Sequence, residues 1–113
     1  MQNKNLENQI TIIVLATNEE IILEKTVKII LNENFIYIDR IFIITPHNLT
    51  SGCLETINKL KIDYQNKLTH KYQPKEYPGY GGASIYGISL VNTDYFILAD
   101  ADGETDPKEI KSL

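Results

Sequence analysis

The most informative stretch of this chain is YFILADADG, residues 95–103, in which an apolar run leads into two carboxylates separated by one residue. An apolar run of this length, bounded by turn residues, is typical of a strand buried in a sheet. Side chains alternate along an extended backbone, so the carboxylates of Asp100 and Asp102 are expected to face the same side. The stretch therefore predicts a strand of an α/β sheet with two acidic side chains at its carboxyl end, where such sheets bind ligands.

These two carboxylates have the chemistry of a metal site. Hard divalent cations such as Mg²⁺ and Mn²⁺ prefer carboxylate oxygens and often share them with the phosphates of a substrate. Asp100 and Asp102 therefore predict a site for Mg²⁺ or Mn²⁺ that also holds a diphosphate. A solvated turn is the alternative interpretation, because Asp and Gly are also the residues that build turns.

The segments upstream alternate between strand and helix patterns. Apolar, β-branched segments predict four strands, at residues 10–16, 40–45, 68–72 and 95–99. Apolar residues at helical spacing predict three helices between them, at residues 19–31, around 54–61 and around 83–91. The order βαβαβαβ predicts an open, mostly parallel sheet with helices on both faces, a Rossmann-like α/β fold whose first strand is central.

Composition places the chain among ordinary globular proteins. Its 113 residues, 42% of them hydrophobic and 23% charged, predict a single domain over residues 1–113. A formal net charge of −4 without a basic stripe argues against a nucleic-acid partner. The apolar runs are far shorter than the ~20 residues of a transmembrane helix, and the N-terminus lacks a signal-peptide pattern. We therefore expect a cytoplasmic protein, with Cys53 as a buried structural thiol.

The last residues begin a helix pattern, with Asp106 at the N-cap, Pro107 at the first position and Glu109 at the third. Because domains rarely end inside an amphipathic helix, we expect the chain to be the N-terminal part of a longer protein, or a reduced relative of one. Truncation would leave Phe96 or Leu98 uncovered, so we expect a homo-oligomer.

Three patterns in order suggest a family: IIVLATNEE at residues 12–20, PGYGGASIYG at 78–87 and DADGETDP at 100–107. They resemble the Pro-Ala-x-Asn-Glu opening, the Gly-Lys-Gly-x-Ala helix entry and the Asp-Ala-Asp-Gly-Gln-x-x-Pro motif of family 2 glycosyltransferases. The third motif is similar to the polyprenyl-phosphate sugar transferase branch. The resemblance implies the N-terminal, nucleotide-sugar-binding half of a GT-A fold, in an inverting transferase that uses a nucleotide-diphosphate sugar.

The resemblance also implies roles for individual residues. Asp102 would ligate the metal that bridges the two phosphates, and Asp100 would contact the ribose, or the metal through water. Asn18 and Glu19 would touch the nucleoside. The implied nucleotide-sugar site comprises Ala16, Asn18, Glu19, Gly81, Asp100 and Asp102. The donor would be UDP- or GDP-linked, and the acceptor would be a polyprenyl phosphate or a saccharide. The catalytic base and any membrane association would belong to downstream parts, so the catalytic residues stay unknown.

Several of these residues have simpler interpretations. Asn18 and Glu19 also fit a helix cap and a first-turn acid, and the glycines around Gly81 also fit a flexible connector. Glu104 fits a turn as well as it fits the metal site. Four tyrosines near the glycines, at positions 72, 77, 80 and 86, fit core packing or stacking on a base. The two histidines, at positions 47 and 70, lack metal-site spacing and are expected to be structural or exposed.

The chain departs from the family at three positions. Leu15 replaces a proline, and Tyr80 replaces a Lys or Arg. The second strand ends in TPHN, residues 45–48, where the family has Asp-Asp-Gly-Ser with a base-binding Asp. A catalytically incomplete nucleotide-binding or interaction module is therefore an alternative. A sugar nucleotidyltransferase is a weaker one, since it would carry a glycine-rich loop after the first strand.

Overall fold

The computed structural model describes residues 7–17, 20–64 and 66–100. Its strands are β1 (Ile10–Leu15), β2 (Ile38–Thr45), β3 (Leu68–Tyr72) and β4 (Tyr95–Asp100). Its α-helices are α1 (Glu20–Asn34), α2 (Ser51–Asp63) and α3 (Gly79–Ser89), and a 3₁₀ turn (Phe35–Tyr37) precedes β2. The predicted order of strands and helices is confirmed. The helix expected from Asp106 lies outside the described residues.

The four strands form one sheet in the order β3-β2-β1-β4, and every pair is parallel. Parallel neighbours require crossover connections, and each of α1, α2 and α3 supplies one. The first strand lies between β2 and β4, as its apolar sequence predicts. Ile12, Ile13 and Val14 are fully buried, because helices cover both faces of the sheet at β1.

The two faces are covered unequally. On one face, α1 and α2 pack with Ile12, Val14 and Ile41 in the larger hydrophobic cluster. The other face carries α3, whose Ala83 packs with Ile13 in the smaller cluster. The connections through α1 and α2 run in one direction across the sheet, and the connection through α3 runs back in the other, from β3 to β4. Because all three crossovers are right-handed, the reversal puts α3 on the opposite face.

Edge strand β4 carries exposed apolar side chains. Phe96 is 45% exposed and Leu98 is partly buried, so the predicted exposure holds for Phe96. Self-association through this surface stays a prediction. Cys53 is buried, as expected, and its Sγ donates to the carbonyl of Thr17 at 3.1 Å. None of the helices in the described ranges is long and apolar enough to cross a bilayer.

Candidate functional site

The carboxyl ends of all four strands meet at one edge of the sheet, here called the carboxyl edge. Leu15 pairs with Ile44 of β2 on one side and with Asp100 of β4 on the other. One step further along β2, Thr45 pairs with Tyr72 of β3. The strands therefore end nearly level, and the segments that leave them start side by side.

A crevice is expected between β1 and β4. The connections leave β1 and β3 in opposite directions across the sheet, which makes the β1/β4 boundary the topological switch point. Open α/β sheets bind ligands at such a switch point, just beyond the carboxyl ends of the strands. Asp100 is the last residue of β4, directly beside β1. The sequence-predicted acidic position thus lies where the fold favours a ligand.

Ala16, the first residue after β1, is 5% exposed and packs in the larger hydrophobic cluster. Its N–H donates to the carbonyl of Ile44 at 3.0 Å, which continues the β1–β2 ladder past the last paired residue. Its methyl group therefore belongs to the core, so only the backbone carbonyl is suited to the ligand contact that the resemblance implies.

The glycine-rich segment forms the start of α3 in a tightly constrained way. Gly79 has a φ of +71°, a conformation that favours glycine. At Gly82 a Cβ atom would lie 2.2 Å from the backbone carbon of Tyr77, so the helix and the preceding loop are in direct backbone contact. Gly81 is exposed, with open space where a Cβ would be. All three glycines lie in the first turn of α3, and of these Gly82 is in backbone contact with the preceding loop.

The N-terminus of α3 differs from that of α2 in its capping. The hydroxyl of Thr50 accepts from the N–H of Cys53 at 3.2 Å and caps α2. The N-cap of α3 is Pro78, which has no side-chain acceptor. Helix N-termini attract anions in general, and Pro78 adds no side-chain cap at the start of α3.

A ring cluster lies where β2 and β3 end. The ring of His47 stacks on that of Tyr72, with centroids 4.9 Å apart and planes at 14°. The ring of His70 contacts Tyr72 and Thr45. Its centroid is 4.6 Å from that of Tyr72, and its Nε2 is 2.7 Å from the hydroxyl of Thr45. Both histidines are therefore structural members of this cluster, as expected, although no spacing in the sequence indicates that they meet.

Burial lowers the pKa of His70 below its ordinary value of 6.5, and the charge of Lys61 acts in the same direction. Because the unfolded chain then binds more protons, His70 contributes stability that is present above about pH 6.5 and lost as the pH falls through its folded pKa. We expect His70→Gln, which can keep a hydrogen bond to Thr45, to show a shallower acid loss of stability than wild type. Thermal unfolding between about pH 7.5 and about pH 5 measures this. Equal pH profiles would contradict the prediction, and His47→Gln, at the exposed ring, is the control.

Three of the six predicted site residues lie within the described ranges. Ala16 and the backbone of Asp100 lie at the β1/β4 boundary, and Gly81 lies in the first turn of α3. Asn18, Glu19 and Asp102 lie outside the described residues, as do Glu104 and the side chain of Asp100. No group of three or more His, Cys, Asp or Glu side chains suited to a metal occurs among residues that the structure describes.

The tyrosines near the glycines separate into different environments. The rings of Tyr77 and Tyr86 pack together, with centroids 5.5 Å apart, which agrees with core packing. Tyr80 is 61% exposed on the first turn of α3. Tyr72 belongs to the ring cluster. Sequence spacing missed this cluster, because His47 and Tyr72 meet only through the pairing of β2 with β3.

Two comparisons bear on identity. The sequence model described as glycosyl transferase family 2 matches residues 11–113. A search of curated proteins found no match. The matched range includes β2, β3, β4, all of β1 except Ile10, and the acidic segment that follows β4. The family accounts for the parallel α/β sheet. The chain therefore belongs to glycosyl transferase family 2.

Proposed function

We propose that this chain binds a UDP- or GDP-linked sugar at the carboxyl edge, as a glycosyltransferase or as its donor-binding half. The observation that carries the proposal is the register that puts Asp100 beside Leu15 at the topological switch point. The diphosphate would lie between the acidic segment and the start of α3. The nucleoside would lie near the exit of β1, where the resemblance places Asn18 and Glu19. Transfer would proceed with inversion, to a polyprenyl phosphate or a saccharide.

A divalent cation fits the residues at this edge. Asp100 ends β4 in the crevice position, and carboxylates are the donors that Mg²⁺ and Mn²⁺ prefer. Asp100 and Asp102 would hold the ion. When bound, a cation of this kind neutralises charge on a departing nucleotide diphosphate as a Lewis acid. The chain itself would contribute the carboxylates that hold the cation and the amides at the start of α3. The cation and the amides would favour a diphosphate over an uncharged ligand.

A second function is favoured by the exit of β2. There Pro46 and His47 occupy the segment in which the resemblance implies a base-binding carboxylate. The ring of His47 stacks on that of Tyr72, and its Nε2 donates a hydrogen bond to the carbonyl of Gln73. This segment after β2 is compatible with a catalytically incomplete nucleotide-binding or interaction module of the same fold.

Calorimetry separates the two functions. The protein is titrated with UDP, GDP and their sugar conjugates, each with and without Mn²⁺. A donor-binding site predicts that at least one nucleotide binds and that Mn²⁺ strengthens its binding. An interaction module predicts no metal-dependent nucleotide binding. Transfer of labelled sugar to a polyprenyl phosphate or to a saccharide then tests the acceptor.

A further inference from the structure

Gln73, the first residue after β3, connects three segments at the carboxyl edge. Its backbone N–H donates to the carbonyl of Thr45 at 2.7 Å, and its carbonyl accepts from Nε2 of His47 at 3.1 Å. Its side-chain Nε2 donates to the carbonyls of Tyr77 and Gly79, at 2.5 Å and 2.9 Å. One residue thus joins the end of β2, the exit loop of β2 and the loop before α3.

The orientation of the Gln73 carboxamide follows from its partners. Both partners are backbone carbonyls, which only accept, so the NH₂ group must face them. The two carbonyls belong to the residues on either side of Pro78, the N-cap of α3. The side chain therefore fixes the backbone at the point where it enters α3.

The same loop is also held from the helix side. The N–H of Gly82 donates to the carbonyl of Pro78 at 3.0 Å, and Gly82 lies in backbone contact with Tyr77. The ring of Tyr77 packs against Tyr86. Together with the two hydrogen bonds from Gln73, these contacts constrain the loop, and preorganisation of this kind lowers the cost of binding.

We propose that Gln73 is a positioning residue of the nucleotide site, and that its carboxamide holds the start of α3 in the orientation that meets the diphosphate. The ligand part of this inference rests on the proposed function. Gln73 acts through the Tyr77–Gly79 carbonyls and does not itself touch the ligand. Its contribution is therefore specific to ligands that reach the first turn of α3, and a nucleoside without phosphates is unaffected.

Hydrogen exchange tests the structural part without a ligand. Gln73→Met keeps the length of the side chain and removes both donors, and Gln9→Met is the matched control at the opposite edge of the sheet. We expect exchange at Gly82 to rise about tenfold or more in Gln73→Met, since two hydrogen bonds are lost. The amides of Ile12 and Val14 report global stability and should change far less. Exchange at Gly82 within twofold of wild type would overturn the inference.

Nucleotide binding tests the ligand part. In the presence of Mn²⁺, the ratio of UDP or GDP affinity to that of the corresponding nucleoside should fall about tenfold in Gln73→Met and stay constant in Gln9→Met. A purely structural role would leave this ratio unchanged. If the wild type binds and the ratio does not move, the positioning role is wrong and the proposed function stands. If the wild type binds neither nucleotide, the proposed function fails and the ligand role of Gln73 fails with it, whatever the exchange result.

Discussion

Asparagine in place of Asp102 should weaken the Mn²⁺-dependent binding of UDP or GDP by about one to two decades, which corresponds to ~1.5–3 kcal/mol for an interaction with a charged group. The substitution keeps the shape of the side chain and removes the charge that a divalent cation needs. Without metal, wild type and variant should bind equally weakly. Isothermal titration of both proteins with each nucleotide, with and without Mn²⁺, measures the effect.

The control for this substitution is Asp94→Asn, which makes the same change just before β4, at the opposite edge of the sheet. It should bind as the wild type does under both conditions. If Asp102→Asn retains wild-type affinity in Mn²⁺, Asp102 is not a metal ligand and the acidic segment is a turn. A general loss of stability would appear in the melting temperature and would not depend on Mn²⁺.

Alanine at Gly82 should destabilise the fold by about 1–3 kcal/mol, the usual cost of forcing extra atoms into a packed region. The added Cβ would lie 2.2 Å from the carbonyl carbon and 2.4 Å from the carbonyl oxygen of Tyr77. These are backbone atoms, so the loop must move as a whole, and the bonds from Gln73 to this loop would be strained. Urea unfolding measures the change in free energy.

Gly81→Ala is the matched control, one residue earlier in the same helical turn. Its Cβ would meet open space, and alanine has the higher helix propensity, so stability should rise by about 0.5–1 kcal/mol. The two variants are therefore expected to change stability in opposite directions. Equal midpoints in urea for the two variants would show that the Gly82–Tyr77 contact does not constrain the loop.

Strand and helix positions were predictable where one face of the element is apolar. Apolar spacing predicts that α1 ends at Leu31, the last residue of the buried stripe, and the helix continues to Asn34 through exposed Asn32 and Glu33. The sequence predicts that β2 begins at Arg40, and the strand begins at buried Ile38, before exposed Asp39. Hydrophobic periodicity reports burial, so it misses the polar ends of an element.

The candidate site was predictable in position but not in construction. The rule that ligands bind at the carboxyl ends of strands points to Asp100 from the sequence alone. The role of each glycine could not be predicted, because nothing in the sequence distinguishes Gly79, Gly81 and Gly82. The contact with the backbone of Tyr77 distinguishes Gly82 in the structure. The contact of Gln73 with His47 joins positions 26 residues apart, and no local pattern encodes it.

The central claim is that a metal-bound nucleotide occupies the carboxyl edge, and paramagnetic NMR tests it most directly. Substoichiometric Mn²⁺ is added to labelled protein with UDP or GDP, and Mg²⁺ serves as the diamagnetic control. The two ends of β4 are about 16 Å apart, so the edges can be distinguished. We expect the amides of Gly81 and Asp100 to broaden first, while those of Ile38 and Tyr95 stay sharp. Equal broadening at both edges, or broadening that nucleotide does not change, would contradict it.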